Sequence, residues 1–416
     1  MIIGCIAGAV SRAANDREKD LTLDRAIALA MERHPGLKAA GLDVTAAEGR
    51  LNQAGKLPNP NISLEAENIG GEGQYKQFES AEYTAQIEQL FELGGKRSKR
   101  TYAARLGKNL SASDLETVRL DIRAETARRF FDVLAAQERV ALGLELVGIA
   151  EEFLNAVSGR VRSGKVSPTE ETKATILLTL QEIALAQAQK RLDSARTMLC
   201  ALWDDPVPGF ARVTGDLQNI PGIPSIIRLA ARLPKNPDIA RWTIEVENRQ
   251  AALLLEKANR IPDVTISGGV RRFSDTGEDA FVFGSSIPLP LFNQNQGLIR
   301  EAAAYASKAE QERRKVISRI TADLTAAYNA YSTALIEITG LRNDVLPKTR
   351  DVFEAAQFGY MQGKFMYLDV LDAQRGYFEA KGKYIEALAT CHKAIVEIER
   401  LANDNFAGPA NNKKEM

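Results

Sequence analysis

The stretches LPNPNISLEAEN (residues 57–68) and RIPDVTISGGVRR (residues 260–272) share one plan. In each, a proline, Pro60 or Pro262, is followed by alternation with a period of two. Ile62, Leu64 and Ala66 point one way while Ser63, Glu65 and Glu67 point the other. Likewise Val264, Ile266, Gly268 and Val270 oppose Thr265, Ser267, Gly269 and Arg271. Period-two alternation predicts strands with one apolar and one polar face. The two prolines lie 202 residues apart, which raises the question of a duplication.

Three further markers repeat in the same order. Pro35 in RHPGL matches Pro237 in KNPDI, again 202 residues on. Phe91 in EQLFELGG matches Phe292 in PLPLFNQN at 201, and Gly164-Lys165 matches Gly363-Lys364 at 199. Such drift is small for a repeat far longer than any solenoid unit. The chain divides into a first repeat, 21–203, and a second, 225–402, around a Pro/Gly-rich linker, 204–224. Residues 1–20 and 403–416 flank them, the latter polar and expected to be disordered.

Each repeat predicts the same elements. A helix opens near 36–56 or 238–260, each behind a proline that suits a helix start. A β-hairpin follows at 61–90, with Tyr83, Ala85 and Ile87 on one face of its second strand, or at 264–288, with Phe281, Phe283 and Ile287 on one face. Strands of eight or nine residues approach the ~9–11 that cross a bilayer when tilted. A helical hairpin completes each repeat, at 96–203 and 295–402. Lys96 to Arg162 contains no proline and would run about 100 Å as one helix. Pro347 in the second repeat should bend its helix, whereas Gly148 stands at the matching position. Gly164 and Gly363 suit the left-handed turn of a reversal. Leu177, Leu180, Ala184, Ala188, Leu192, Ala195 and Leu199 predict the seam of the first return helix.

Composition narrows the function classes. Lys+Arg and Asp+Glu both number 54, so the chain lacks the basic footprint of a nucleic-acid binder. Two His and three Cys form no zinc or disulfide pattern. Adjacent Cys391 and His392 diverge by about 100° on a helix, a poor chelate, and a Cys200–Cys391 disulfide has no support in the sequence. Gly94-Gly95-Lys96-Arg97-Ser98 fails as a phosphate loop, lacking the upstream Gly and the Ser/Thr after Lys. No nucleophile–base pair appears, so neither an enzyme, a cofactor nor a metal site is expected. No apolar run reaches about 18 residues, which excludes a membrane helix but not a barrel. The N-terminal IIGCIAGAV (2–10) reads as a signal remnant, as a lipidation site at Cys5, or as a flexible terminus. Lys96, Arg97, Lys99 and Arg100 meet either lipid headgroups or solvent.

Four strands leave two open edges, and open edges cannot face lipid. If these strands enter a membrane, copies must assemble, and three copies supply twelve strands. On these features residues 21–402 resemble the TolC family of outer-membrane efflux proteins. The segment Phe91-Glu92-Leu93-Gly94-Gly95-Lys96-Arg97 resembles its CzcC-like branch, which serves heavy-metal efflux. The segments Arg160 to Lys165 and Tyr360 to Lys364 resemble its hairpin tips, and Asp369-Val370-Leu371-Asp372 its following helix start.

The resemblance implies a mainly α fold with membrane β: a 12-strand trimeric barrel above a periplasmic α-barrel of helical hairpins. It implies a homotrimer in the outer membrane of a Gram-negative cell, in contact with its lipid and extending into the periplasm. A periplasmic adaptor and an inner-membrane pump of the resistance-nodulation-division class would be its partners, and heavy-metal cations its cargo. The adaptor-contacting tips would be Val161, Ser163, Gly164, Lys165, Met361, Gln362, Gly363 and Lys364. Asp369 and Asp372 match family aspartates of the channel constriction, with Glu170 and Lys173 as first-repeat counterparts; otherwise acids near a helix N-terminus simply favour its dipole. A multidrug or type I secretion duct keeps the fold and changes the cargo. A soluble coiled-coil scaffold would leave the four strands unexplained.

Overall fold

A computed structural model of the chain describes residues 20–205 and 207–406. Cys5, most of the 1–20 segment and the end of the 403–416 tail lie outside the described residues. The described residues form two compact units: those within 20–39, 116–236 and 318–406 make the first, and 40–115 with 237–317 the second. Each draws on both sequence repeats. No described helix is long and apolar enough to cross a membrane.

The first unit begins with a short parallel clip, β1 (Leu21–Thr22) on β4 (Val213–Thr214). Thr22 also caps helix α1 (Leu23–Arg33), its side chain accepting from Arg25 N–H at 3.3 Å. Gln137 brackets the clip, accepting from Val213 N–H at 2.8 Å and donating to Val213 O at 3.0 Å. The long helix α3 (Lys96–Arg162) enters this unit and packs with α4 (Pro168–Cys200), α8 (Leu346–Met361) and α9 (Tyr367–Ala402). The short α5 (Ile226–Ala230) buries Leu229. Phe130, Val133 and Leu134 of α3 share a core with Leu192 and Leu199 of α4 and Leu388, Ile395 and Val396 of α9. His392 lies in that core, stacked on Phe131 at 4.4 Å with Nε2 2.9 Å from Leu217 O. Burial holds its pKa below the ordinary value. Cys200 and Cys391 are free and buried, their thiols pushed by desolvation up to about 12 and about 11.

Antiparallel packing of α3 on α9 has a charge register. Asp121 pairs with Arg400, Arg128 with Glu397, Asp132 with Lys393, Arg139 with Glu386, and Glu145 with Lys381. Each step forward along α3 is met by a step back along α9. These pairs are partly exposed, so each contributes only about 0–1 kcal/mol, and their alternating signs act chiefly to fix register.

One expectation drawn from the sequence is corrected by the packing. Leu180 and Ala184 are not in a buried seam but exposed, as are Ile176 and Ile183. A hairpin stripe alone assumes that α4 packs mainly on its own partner, yet the core also takes in α9. Pro347 directly follows a π-helical turn, Leu341–Val345, which separates α7 (Gln296–Gly340) from α8. Widening that turn accommodates a residue that cannot donate and would crowd the preceding carbonyl.

The second unit carries the sheet. Strands β2 (Asn61–Glu67), β3 (Glu82–Phe91), β5 (Val264–Phe273) and β6 (Asp279–Ser286) form an antiparallel sheet in the order β2-β3-β5-β6. The register places Ile62 opposite Ile87, Ala85 opposite Val270, and Gly268 opposite Phe283, all on one apolar face. The opposite face holds Glu65, Glu67, Glu82, Thr84 and Arg271. There the Arg271 guanidinium reaches Glu82 at 2.8 Å, Thr84 at 2.9 Å and Glu67 at 3.1 Å, tying three strands together. Strand β6 ends two residues before the expected Pro288. Pro288 and Pro290 have no N–H to extend the ladder.

Helices α2 (Pro35–Ala54) and α6 (Pro237–Asn259) precede the two hairpins. In this unit α2 buries Ala47 and Ala54 and α6 buries Ile239, Ala251 and Ala258, so each helix carries one pair of buried alanines seven residues apart. Seven-residue spacing with small side chains suits close parallel seams. The Gly94-Gly95 turn then joins β3 to α3. Asp263 fastens this junction, accepting from Leu93 N–H at 2.9 Å and from Lys96 Nζ at 2.7 Å, with Lys96 only 8% exposed. Removing Asp263 would strand a buried ammonium. Asp263→Ala should therefore cost about 2–3 kcal/mol, read as a lowered thermal midpoint, while Lys96→Met/Asp263→Leu should recover most of the loss.

Candidate functional site

Both helical hairpins reverse through the same backbone device. At the first tip, Gly164 has φ +67°; its N–H donates to Val161 O and that of Lys165 to Arg160 O, both at 2.9 Å. At the second, Gly363 has φ +73°; its N–H donates to Tyr360 O at 2.9 Å and that of Lys364 to Gly359 O at 2.8 Å. These paired bonds form a Schellman motif, which needs a left-handed residue that glycine supplies without strain. Each return helix then starts with its own cap. Ser167 Oγ accepts from Thr169 N–H at 3.3 Å ahead of Pro168, and Asp369 accepts from Met366 N–H at 2.8 Å.

The tips leave their ends open to solvent. Ser163, Gly164, Lys165, Met361, Gln362, Gly363 and Lys364 are exposed, and Val161 is half-buried. Phe358, Phe365, Met366 and Leu368 add exposed apolar surface beside them. Beneath lies an aromatic cluster of Phe153, Phe353, Tyr360 and Tyr367 with Val157, Ala174 and Val370. The Tyr360 and Tyr367 rings each lie within 5.5 Å of Phe153.

One buried residue ties the two tips together. Tyr360 donates its hydroxyl to Glu170 Oε2 at 2.7 Å. Arg160, from the first hairpin, donates from Nη1 to Tyr360 O and stacks its guanidinium over the Tyr360 ring at 4.6 Å. Burial, and then the Glu170 hydrogen bond, push the Tyr360 hydroxyl well above the usual phenol range. Burial, with Glu170 adding to it, takes Tyr367 up to about 12. Both phenols therefore keep their protons at physiological pH.

The three acidic candidates thus occupy different settings. Asp369 caps its own helix. Asp372, one turn on, is exposed and lines a groove with Asp369, Leu368, Arg375, Phe378 and Gln181. Glu170 is half-buried and engaged by Tyr360 rather than lining that groove. Arg160 and Tyr360 were missed by sequence reasoning, although they open the two tip segments that it singled out. Their only signal was a cation in one tip and an aromatic in the other, at neighbouring rather than matching positions of the repeat. Among the described residues, no three or more His, Cys, Asp or Glu are placed to hold a metal ion.

The clasp predicts coupled behaviour. Tyr360→Phe removes a hydrogen bond to a carboxylate, worth about 1.5–3 kcal/mol. Amide exchange should accelerate at Gly164-Lys165 as well as at Gly363-Lys364, and Glu170→Gln should add little to Tyr360→Phe. Acceleration confined to the second tip would show that the hairpins are not coupled through this residue.

Comparison with known proteins extends this picture. The family model described as outer membrane efflux protein matches the chain twice, over residues 26–204 and 230–404. The chain is 38% identical to the cobalt-zinc-cadmium resistance protein CzcC of Cupriavidus metallidurans, over 92% of this chain and 90% of that protein. It is 26% identical to the nickel-cobalt-cadmium resistance protein NccC of Alcaligenes xylosoxydans xylosoxydans, over 75% and 72%. A crystal structure of CusC, a transmembrane channel, superposes with a TM-score of 0.80 at 16% identity, over 92% of each chain. The doubled match coincides with the duplication seen in the tips and hairpins, and the chain belongs to the outer membrane efflux protein family.

Proposed function

We propose that this outer-membrane channel exports heavy-metal cations of the cobalt, zinc and cadmium class, as the exit duct of a tripartite system with a periplasmic adaptor and a resistance-nodulation-division pump. The observation that carries the cargo is the full-length likeness to a cobalt-zinc-cadmium resistance protein. The sheet supports it: the polar face sets Glu65, Glu67, Glu82 and Glu88 against Arg271. An acidic lumen concentrates cations, whereas rows of backbone and carboxylate groups at this spacing need not bind them tightly.

The working unit in this reading is a homotrimer. The outer edges of β2 and β6 have no partner within the sheet, and lipid offers none. Three copies would pair those edges into a twelve-strand barrel. The exposed Ile176, Leu180 and Ile183 of α4 would be covered by a neighbouring copy. Around the threefold axis, Asp369 and Asp372 would form two rings at the periplasmic constriction, with Glu170 holding the tips rather than lining the bore. The tip residues Val161, Ser163, Gly164 and Lys165, and Met361 to Lys364, would meet the adaptor. No step here is chemical; the pump supplies the energy.

Deleting the gene should lower tolerance to zinc, cobalt and cadmium while leaving common drugs unaffected, and the wild-type gene should restore it. Sensitivity to drugs alone would contradict the proposed cargo. In planar bilayers, Asp369→Asn/Asp372→Asn should raise single-channel conductance and weaken block by multivalent cations from the periplasmic side. Unchanged conductance and block would remove the aspartates from the constriction.

A further inference from the structure

We propose that Arg271 keeps the acidic wall of the duct from trapping its cargo, by holding as a tethered cation the carboxylate pair that would otherwise bind a divalent ion near the exit. This rests on the proposed duct and cargo and names a residue that sets how cations pass. The ladders place it. Glu65, Thr84, Arg271 and Ala280 form one row across β2, β3, β5 and β6, and Glu67 lies opposite Glu82 in the next row. These are the rows nearest the hairpin loops, at the end of the sheet away from the long helices. Like charges directly opposed across a ladder are unfavourable on their own. The Arg271 guanidinium offsets them: Nη1 reaches Glu82 at 2.8 Å, Nη2 reaches Glu67 at 3.1 Å, and Nε donates to the buried Thr84 Oγ1 at 2.9 Å. Glu82 takes a further bond from Asn68 Nδ2 at 3.1 Å.

Arg271 is the one cation that the four strands place on this face; Arg272 lies on the other, paired with Asp279 at 3.3 Å. It stands where a divalent ion would sit. A zinc-class ion needs carboxylate oxygens converging at about 2.0–2.2 Å, whereas the guanidinium fork takes the same oxygens at hydrogen-bond length. The fork stays charged throughout the physiological pH range. Being attached to the same sheet, it meets the pair at an effective concentration on the order of millimolar or more. A passing cation must displace it to bind. The wall still draws cations, because Glu65, Glu67, Glu82 and Glu88 face a single guanidinium. Conduction needs both properties, attraction on entry and binding weak enough to leave. Stability alone does not account for the arrangement, since an uncharged pair at 67 and 82 would hold the two strands without any guanidinium.

The test uses the full chain in planar bilayers, with potassium chloride as carrier and cadmium or zinc chloride added on the side of the strand loops. Block is read in single open channels, so a lower folding yield does not enter. Arg271→Gln should lower the half-blocking concentration by about tenfold or more. Adding Glu67→Gln and Glu82→Gln to that variant should return it to the parental value. Unchanged block in Arg271→Gln would leave Arg271 as a strand bridge only and overturn the inference. Tight block that persists in the triple variant would also overturn it, because the carboxylate pair would not be the trap. A control separates these results from failure of the duct itself. Ala280→Cys, in the row of Arg271, should change conductance on reaction with a charged, water-soluble thiol reagent, and Phe281→Cys, on the apolar face, should not; the parent chain supplies the baseline for the native cysteines. Response from Phe281→Cys alone would put the polar face outside the bore, overturning the proposed duct together with this role of Arg271.

Discussion

The structure depends on the unpaired backbone along the outer edges of β2 and β6. In water such edges are a liability; in hydrocarbon each unsatisfied N–H or C=O costs several kcal/mol. A four-stranded sheet with one apolar face can enter lipid only if its edges are closed by further copies. That requirement sets the orientation of both faces. In the proposed barrel the apolar face would look outward, and the polar face, where Arg271 bridges Glu67, Glu82 and Thr84, would look inward. The prolines that end the ladders set where pairing stops and where the chain turns into helix.

Duplication lets one chain satisfy this constraint with matched parts that then diverge. Among the helices, five alternating ion pairs set the register of α3 against α9, none individually strong. Beyond the last of these, Glu145–Lys381, the hairpins rely on the aromatic cluster and on Tyr360 held by Arg160 and Glu170. Regions held by few bonds over exposed surface open most readily. The tips therefore rest on a small set of named contacts between the two hairpins. Proton loss from Tyr360 or Tyr367 plays no part near neutrality, since burial keeps both phenols protonated.

Much of this was legible in the sequence because alternation and repeat spacing are local. Ile62, Leu64 and Ala66, or Val264, Ile266 and Val270, declare a two-faced strand without knowledge of neighbours. Gly164 and Gly363 declare a reversal because few other residues tolerate that φ. What failed was non-local. Leu180 and Ala184 fit a hairpin seam by spacing alone, but packing also involves α9, far along the chain. Glu170 looked like a partner of Asp369 and Asp372 by repeat position. Its hydrogen bond to Tyr360, 190 residues away, was not readable from that position. The end of β6 was readable in Pro288 and Pro290 but was placed two residues too late. Asp369 caps its helix start and is also exposed to solvent, so the cap does not exclude its proposed place in the constriction.

Disulfide trapping between β2 and β6 in native outer membranes tests closure by further copies most directly. Single cysteines scanned along the two edges, one on each strand of the same chain, should yield covalent trimers for one register of pairs. Because β2 and β6 are separated by β3 and β5 within the chain, such links must join different copies. A trimer ladder that depends on register is the predicted result. Membrane-embedded chains that never cross-link beyond monomer at any register would contradict closure of the sheet by neighbouring copies.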